Sequence, residues 1–490
     1  MRPCILVVAA TVLSAAVAVP LAQSRPAAES SAGQFDRKQV PTAGKPPALQ
    51  VPAWTTMKLS NGAQLIVSER KGLPLVSFTI SFIGGANQFE RPGRTGIASL
   101  TAAMMREGTR TRDGEALAQA LQLLGTSVNV SVSGETGAVS FLSTTETFQP
   151  TLEILADMLV NPTFPTPALE RLRAQRLVLL IQANAQPNAI GSRVFSRVLY
   201  GADHPFGRDV TESSIKAIST DDVASFHKDY FKPGRAIVTV TGDVTAASVK
   251  ATIEKALAAW TAGGEKPAFT YPALPAGKPT AIYLVDKPGS AQSVFNIGIP
   301  GPPRNTPDYM ALQVMNFILG GHFQSRLNAN IREEKGYSYG VNSGFSYGKG
   351  PGPFRTGGDV VSEKTDVALI EFMKELRGIQ GEKPISDEEL RIAKETLVQR
   401  LPGQFTSVSQ IGSTITGLML QDLPADYYQN FAKNVAAITK EDIVRVAKQY
   451  VDVRHLNIVI VGDRTSIEAP LRKTGIAPIV ILDGEGNPAK

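Results

Sequence analysis

Apolar and polar positions follow two periods along the chain, and they predict strands and helices in close succession from about Trp54 onward. Alternation predicts strands at 57–69, around an Asn61-Gly62 turn, and at 76–82. Further strands are predicted at 127–133, 138–143, 236–241, 281–285, 293–299, 337–347, 353–359 and 456–461. Helical spacing predicts helices at 97–105, 114–124, 148–160, 166–185, 220–230, 307–319, 323–333, 363–378, 387–400, 406–420 and 439–450.

Two segments of the first half have counterparts in the second half. VSFTISFIGG (76–85) resembles SVFNIGIPGP (293–302), and FHKDYFKPGRAIVTVTGDV (226–244) resembles VAKQYVDVRHLNIVIVGDR (446–464). The second pair has the same order: a helix, a tyrosine, a break, an apolar strand and Gly-Asp. Similarity at this long spacing indicates a duplicated domain. Helices between alternating strands predict an α+β fold, with an antiparallel-rich sheet in each half.

The segment 262–278 (AGGEKPAFTYPALPAGK) is rich in proline and glycine, and it predicts the linker between the halves. The predicted boundaries follow from it and from the composition of the ends. They are a signal peptide at 1–22, a flexible lead-in at 23–50, an N-terminal domain at 51–261, the linker at 262–278, a C-terminal domain at 279–480 and a tail at 481–490.

The N-terminus has the pattern of a secretory signal. Arg2 precedes an apolar stretch at 5–19, and small residues predict cleavage near Ala18 or Ala22. The alternative is an uncleaved membrane anchor. Cys4, the only cysteine, lies before the apolar stretch, so the mature chain would contain neither a disulfide nor a thiolate site. The sequence therefore predicts a secreted or periplasmic protein without stable membrane insertion.

Charge adds little to this picture. Lys and Arg number 50 and Asp and Glu 44, a formal net charge of +6 spread over 490 residues. Long runs of like charge are absent from the sequence, so a mixed solvated surface is predicted and not a nucleic-acid partner.

The segment 93–109 (GRTGIASLTAAMMREGT) resembles the opening helix of the insulinase/pitrilysin/mitochondrial processing peptidase metallopeptidases, family M16. The family pattern is roughly G-[LI]-A-H-x-x-E-H-[ML]-x-x-x-G-T, in which two histidines hold Zn²⁺ and the glutamate activates a water molecule. The flanking residues that match are Gly96, Ile97, Ala98, Met104, Gly108 and Thr109. The core departs from the pattern: Ser99 and Ala103 replace the histidines, and Ala102 replaces the glutamate.

A second departure lies at 170–179 (ERLRAQRLVL), which resembles the family's E-R-E-R-x-x-V-x-x-E. Leu179 stands at the position of the third zinc ligand, and Leu172 at that of a supporting glutamate. The pattern predicts that this helix pair is repacked as ordinary core. The four histidines, His204, His227, His322 and His455, lie far apart and are interpreted as structural. No cofactor is expected on this chain.

The segment 320–340 (GGHFQSRLNANIREEKGYSYG) resembles the C-terminal half of the same family, G-G-x-x-x-S-R-L-x-x-x-[IL]-R-E-x-x-G-x-x-Y. In active members the arginine and tyrosine face the zinc, hold the substrate backbone and stabilise the oxyanion. The matching residues are Arg332 and Tyr339, and both are suitable donors to a carbonyl that gains charge. The alternative is structural: Arg332 would form a salt bridge at a helix end, and Tyr339 would pack in its strand.

The resemblance covers about 50–480 and implies two homologous α/β halves that face each other around a chamber. It implies a non-catalytic, substrate-binding subunit of a heterodimeric zinc peptidase. The expected partner is a homologous subunit with an intact His-x-x-Glu-His, which would carry the Zn²⁺ for hydrolysis of a peptide substrate. The alternative is a catalytically silent peptide-binding or scaffold protein of the cell envelope. A third hypothesis, an autonomous peptidase, would require zinc on this chain.

Overall fold

The structure is a computed structural model, and it describes residues 49–489. The predicted signal peptide 1–22 and nearly all of the predicted lead-in 23–50 lie outside the described residues. Within the described part, the strands form two six-stranded sheets.

The first sheet has the strand order β1-β2-β6-β3-β5-β4, and the second has the order β12-β7-β11-β8-β10-β9. The first sheet contains β1 (Thr55–Lys58), β2 (Gln64–Glu69), β3 (Leu75–Ile83), β4 (Asn129–Ser133), β5 (Thr136–Thr144) and β6 (Ala236–Gly242). The second contains β7 (Ala281–Asp286), β8 (Gln292–Pro300), β9 (Ser338–Phe345), β10 (Pro353–Val361), β11 (Asn457–Gly462) and β12 (Ile479–Leu482).

The two sheets repeat one topology. Strands β2 and β6 are parallel, as are β7 and β11, while β6-β3-β5-β4 and β11-β8-β10-β9 are antiparallel throughout. The segments that resemble each other in sequence fall on equivalent strands, β3 with β8 and β6 with β11. The predicted α+β class and the predicted duplication are therefore confirmed. The two sheets differ only in one edge strand: β1 is antiparallel to its neighbour β2, whereas β12 is parallel to its neighbour β7.

Helices fill the connections between the strands. The first half contains α1 (Ala86–Phe89), α2 (Ile97–Met104), α3 (Gly114–Leu123), α4 (Phe148–Val160), α5 (Thr166–Ala185), α6 (Pro187–Tyr200), α7 (Glu212–Ala217), α8 (Thr220–Tyr230) and α9 (Ala246–Ala256). The second contains α10 (Tyr309–Leu319), α11 (Thr365–Arg377), α12 (Asp387–Arg400), α13 (Val408–Leu420), α14 (Tyr427–Ala436), α15 (Lys440–Tyr450) and α16 (Arg464–Lys473). Two π-helices, Asn328–Glu334 and Gly378–Glu382, interrupt this pattern.

The equivalent helices α8 and α15 begin with the same local device. Ser219 and Thr439 each accept a hydrogen bond from the backbone N–H of an aspartate three residues later, and that aspartate's side chain bonds back to the cap. Such a capping box satisfies two backbone donors that a helix otherwise leaves free. The duplication thus extends to the residues that start these helices.

Each sheet is covered on one face by a helix from the other half. Helix α13 packs Ile411 and Ile415 against Ile66 and Ile237 of the first sheet. Helix α6, which precedes the predicted linker, packs Val194 and Phe195 against Val294 and Val459 of the second sheet. The exchange buries apolar side chains from both halves, which is the main driving force for their association.

The exchanged helices also cover polar positions of the alternating strands. Ser77, Ser81, Thr239 and Thr241 are all buried, although alternation normally directs such residues to solvent. Beneath α13, the hydroxyl groups of Thr239 and Thr416 lie 2.6 Å apart and share a hydrogen bond. A buried hydroxyl needs such a partner, since burial without one costs free energy.

Several elements differ from the sequence-based expectation. Helices α1, α6, α7, α9, α14 and α16 and strand β12 were not predicted, and the helix predicted at 323–333 is a π-helix at Asn328–Glu334. Strand β11 does not end the fold, since β12 adds to the edge beside β7. Helix α6 starts at Pro187, a favourable first helical position, but it contains Gly191, which lowers helix propensity and lies close to Asn296 of β8.

The segment 262–278 lacks helices and strands, but its Tyr271 has many contacts. The ring lies 5.6 Å from that of His204 and 5.0 Å from that of Phe206. The Tyr271 hydroxyl donates a hydrogen bond to Glu135 and accepts one from Gln88 at 2.7 Å. This tyrosine therefore fixes the segment to the first half.

Candidate functional site

Helix α2 lies where the sequence predicts a degenerate zinc helix, and it is held by its apolar face. Ile97, Leu100 and Met104 are buried in the core of the first half. The Glu90 carboxylate accepts hydrogen bonds from the backbone N–H groups of Gly96 and Ala98, both at 3.0 Å, and so caps the helix. Burial raises the pKa of Glu90, while these two hydrogen bonds oppose the shift.

The three substituted positions on α2 do not fit a metal ion. The Ser99 hydroxyl donates to the carbonyl of Gly96 at 3.1 Å, Ala102 is buried, and Ala103 is half-buried. A methyl group offers no lone pair, and a neutral hydroxyl is not among the usual zinc ligands. Within residues 49–489, no three His, Cys, Asp or Glu side chains are grouped so that they could hold a metal. No chemical step is therefore assigned to a metal on this chain.

Leu179 lies on α5, and here the expectation of a repacked core is wrong. Only Leu169 of α5 is buried, whereas Leu179 is 57% exposed and Ile181 is 69% exposed. The apolar run 177–181 (LVLLI) contains no buried residue. Helix α2 did become ordinary core, but the C-terminal part of α5 presents its apolar side chains to solvent.

The four histidines lie in four separate environments. His204 accepts a hydrogen bond from the N–H of Phe206, His227 contacts the carbonyl of Leu159, His322 that of Phe317, and His455 the carboxylate of Asp452. In each histidine, one ring nitrogen is thus engaged by a nearby backbone or carboxylate group, and no two of the four rings share a site. The geometry agrees with the interpretation of all four as structural.

The buried His227 makes stability sensitive to acid. Burial lowers the pKa of its imidazole to about 4. Below its ordinary pKa of about 6.5, the unfolded chain binds a proton that the folded chain binds only near pH 4. The free energy of unfolding is therefore expected to fall between pH 6.5 and 4. His227→Gln retains a donor for Leu159 and should reduce this decrease, as measured by thermal midpoints at pH 7.0, 5.5 and 4.5.

The control for that measurement is Gln429→Asn, since Gln429 is an exposed residue of α14 that does not titrate. Its pH dependence should match that of the unsubstituted chain. Equal pH dependence for the unsubstituted chain and His227→Gln would contradict the assignment of the effect to His227.

Arg332 lies in the π-helix Asn328–Glu334. Its guanidinium pairs with the carboxylate of Glu333 and lies 4.0 Å from the ring centroid of Phe323, which is itself exposed. A cation over an aromatic face is attracted by the ring, and this contact fixes the direction of the side chain. π-Helical turns are rare and occur frequently at functional sites.

Tyr339 follows on β9 and is 92% exposed. It lines a cavity of about 370 Å³ between α6 and the second sheet. Arg332 is not part of that lining, and within residues 49–489 no hydrogen bond, ion pair or ring contact joins it to Tyr339. Both residues predicted to handle substrate thus lie at the surface of the second half, but they do not contact each other.

The cavity beside Tyr339 is polar and includes residues from both halves. Asn188, at the start of α6, donates to the carboxylate of Asp359 at 3.2 Å. Arg355 donates to the Ser192 hydroxyl at 3.3 Å, and burial lowers the pKa of its guanidinium. These contacts bring the first half to the strand pair that carries Tyr339.

The equivalent edge strands β4 and β9 differ in a way that the sequence did not reveal. On β9, the N–H groups of Val341 and Ser343 are taken by the Asn328 side chain at 3.0 Å and the Gly320 carbonyl at 3.1 Å. On β4, residues 129–132 receive no hydrogen bond from residues 49–489 apart from those of β5. The β4 edge is open, whereas the β9 edge is covered.

No helix within residues 49–489 combines the length and the apolar character that a bilayer crossing requires.

Comparison with known proteins finds similarity in both halves. The family model described as Insulinase (Peptidase family M16) matches residues 66–198, and that described as Peptidase M16 inactive domain matches residues 217–397. The Non-peptidase homolog YmxG of Helicobacter pylori is 24% identical over 420 residues, 85% of this chain and 96% of that protein. The Uncharacterized zinc protease YmxG of Bacillus subtilis is 24% identical over 339 residues, 69% and 81% of the two chains.

Solved structures show the same architecture. The crystal structure of a peptidase M16 inactive domain from Pseudomonas fluorescens has a TM-score of 0.76 and 26% sequence identity. The match covers 84% of this chain and 98% of that one. Both halves of the fold are therefore shared with that protein.

Proposed function

Because this chain belongs to the insulinase-type peptidase family M16 and lacks that family's zinc motif, we propose that it is the non-catalytic subunit of a two-chain zinc peptidase. In this proposal Arg332 and Tyr339 hold a peptide substrate at the metal site of a homologous partner with an intact His-x-x-Glu-His. Zinc on that partner would supply the activated water. The exposure of Tyr339 is the observation that carries the proposal.

Tyr339 supports this role because it is ordered and accessible at once. Its strand is fixed by pairing with β10, yet its side chain is 92% exposed. A tyrosine that served only packing would bury its ring, since aromatic side chains contribute mainly through buried area. The free phenol can donate a hydrogen bond to a substrate carbonyl that gains negative charge.

Arg332 supports the role because its present partner is easily replaced. Its ion pair with Glu333 lies at the surface, where such pairs contribute about 0–1 kcal/mol. The contact with Phe323 keeps the guanidinium oriented when Glu333 is displaced. A substrate carbonyl or carboxylate can therefore replace Glu333 at a small cost in free energy.

The open edge of β4 supports a peptide as the substrate. An unpaired strand edge offers backbone N–H and C=O groups to an extended chain, and recognition by strand addition follows from this geometry. In this mode the backbone hydrogen bonds supply affinity, and pockets for alternate side chains supply specificity. With the predicted signal peptide at 1–22, we propose that the complex acts outside the cytoplasm.

The test is a mixing assay. This chain and a homologue with an intact His-x-x-Glu-His are purified separately, and cleavage of a quenched fluorescent peptide is followed for each alone and for the mixture. We expect the mixture to exceed the sum of the separate rates at least tenfold. Arg332→Ala and Tyr339→Phe should each remove most of that gain, because both donors act on the substrate carbonyl.

Arg454→Ala is the matched control, since Arg454 also forms an exposed ion pair with a neighbouring aspartate. It should leave the rate of the mixture unchanged. Failure of mixing to raise the rate, or full activity of Arg332→Ala in the mixture, would reject the proposal.

The second candidate is a catalytically silent peptide-binding protein of the cell envelope, and the open β4 edge favours it because strand addition needs no metal. Size-exclusion chromatography of the mixed chains separates the two candidates. A stable 1:1 complex with the zinc-bearing homologue supports the subunit. Peptide binding by this chain alone, without complex formation, supports the silent binder.

A further inference from the structure

A cavity of about 510 Å³ lies outside the segments that carry Arg332 and Tyr339. Its walls come from the end of α5, from α6, from the loop between α6 and α7, and from the turn around Glu485. Ligand pockets in proteins typically have volumes of about 300–1,000 Å³ and combine apolar walls with a few polar groups. This cavity has both features.

The apolar wall is formed by the exposed run of α5. Leu177, Leu180 and Ile181 line the cavity, and Val210 adds to them from the facing loop. Ile181 is 69% exposed, although full burial of such a side chain stabilises by about 1.5–3 kcal/mol. A run of adjacent apolar side chains on a helix surface is typical of a binding surface and not of a solvated one.

The second wall carries three arginines that have no carboxylate partner within ion-pair distance in the described part of the chain. Arg193 donates to the Gly484 carbonyl at 3.0 and 2.6 Å, and Arg208 donates to the Asp203 carbonyl at 3.0 Å. The guanidinium of Arg197 forms no hydrogen bond within residues 49–489. Arg197 is close enough to Asp209 to lower the pKa of that carboxyl, but its hydrogen-bond donors are unused within residues 49–489 and lie beside an apolar wall.

Four acidic residues line the cavity and limit what these arginines can accept: Asp203, Asp209, Glu212 and Glu485. Glu212 pairs with Lys216, and burial raises the pKa of Asp209 to about 6. A ligand with several negative charges would be repelled by them. A ligand with one carboxylate and with amide N–H groups would satisfy both sets, since Asp and Glu oxygens accept hydrogen bonds from amides.

We infer that this cavity binds the C-terminal end of a peptide, with the terminal carboxylate on Arg197 and apolar side chains against Leu180 and Ile181. The inference rests on the proposed function, because it names the part of the peptide that this chain recognises. An acyl carboxylate shares the charge and the apolar body but offers no amide N–H to Asp209 or Glu485. A peptide therefore fits the cavity better than a fatty acid.

The test is fluorescence anisotropy with this chain alone. The probes are two peptides that carry a fluorophore at the N-terminus and end in Ala-Leu-Leu, one as the free acid and one as the amide. We expect the free acid to bind at least tenfold more tightly than the amide. Arg197→Gln should abolish that difference, and Ile181→Ser should weaken both peptides.

The controls are Leu123→Ser and Arg472→Gln. Leu123 is 82% exposed at the end of α3, and Arg472 pairs with Glu468 on α16, so neither lies in the cavity. Neither substitution should change either affinity. Equal affinity for acid and amide, an unchanged preference in Arg197→Gln, or displacement of the peptide by laurate at equal concentration would overturn the inference.

The two proposals fail in different ways. If the subunit proposal alone is wrong, the free-acid preference persists but mixing with a zinc-bearing homologue produces no peptidase activity. If the cavity inference alone is wrong, mixing produces activity and Arg197→Gln leaves both activity and affinity unchanged.

Discussion

Replacing Phe195 by alanine is expected to lower the free energy of unfolding by about 3–5 kcal/mol, the usual cost of removing a buried aromatic side chain. Phe195 belongs to α6 of the first half and packs on the second sheet, where its side chain is only 2% exposed. Its ring meets β8 at Gly298, where a Cβ atom would lie only 2.8 Å from the ring. The cavity left by the substitution cannot be filled by movement of one half alone.

The measurement is urea unfolding followed by circular dichroism, with Leu179→Ser as the matched control. Leu179 is 57% exposed on the neighbouring helix α5, and exposed substitutions usually change stability by less than about 0.5 kcal/mol. The loss in free energy of unfolding should therefore be much larger for Phe195→Ala than for Leu179→Ser. A loss below about 1 kcal/mol for Phe195→Ala would show that α6 contributes little to the association of the halves.

Replacing Glu135 by alanine is expected to lower the free energy of unfolding by about 2–4 kcal/mol, because one charged group accepts hydrogen bonds worth about 1.5–3 kcal/mol each, and these do not add fully. Glu135 lies in the turn between β4 and β5. Its carboxylate accepts the N–H groups of Lys349 at 2.6 Å and Gly350 at 2.8 Å, and also the Tyr271 hydroxyl. One side chain therefore joins the first half, the segment 262–278 and the β9–β10 loop.

Urea unfolding measures the loss of free energy, and hydrogen exchange locates it. Lys349 and Gly350 should lose more protection in Glu135→Ala than the core amides of β6 and β11, whose protection follows global unfolding. Glu212→Ala is the control, because Glu212 forms only an exposed pair with Lys216 on the next turn of α7. Unchanged protection of the β9–β10 loop in Glu135→Ala would contradict the assigned contact.

Hydrophobic periodicity was sufficient to predict the helices in which the apolar spacing is regular. The helices predicted at 148–160, 166–185 and 220–230 match α4, α5 and α8 in their bounds. The similarity of 76–85 to 293–302 indicated the duplicated sheet, which the equivalent positions of β3 and β8 confirm. The family resemblance also came from residues alone, through the flanks of Ser99, Ala102 and Ala103.

The candidate site was only partly accessible from the sequence. Arg332 and Tyr339 were identified by the family resemblance of 320–340, but their separation and the π-helix that carries Arg332 depend on how this segment folds back on β9. Asn328 and Glu135 were missed because their partners lie on other elements. A polar residue in a turn or helix has no local signal that names such a distant partner.

The sequence by itself determined the α+β class through hydrophobic periodicity and the duplication through the similarity of distant segments, and the family resemblance identified the substituted zinc positions. Only the tertiary structure decided which apolar helix is core. Helices α5 and α6 both carry apolar runs, yet α6 is buried on the second sheet while the run 177–181 of α5 stays exposed. The reason is that burial depends on the surface that the other half supplies, and a helix's own sequence does not contain that surface.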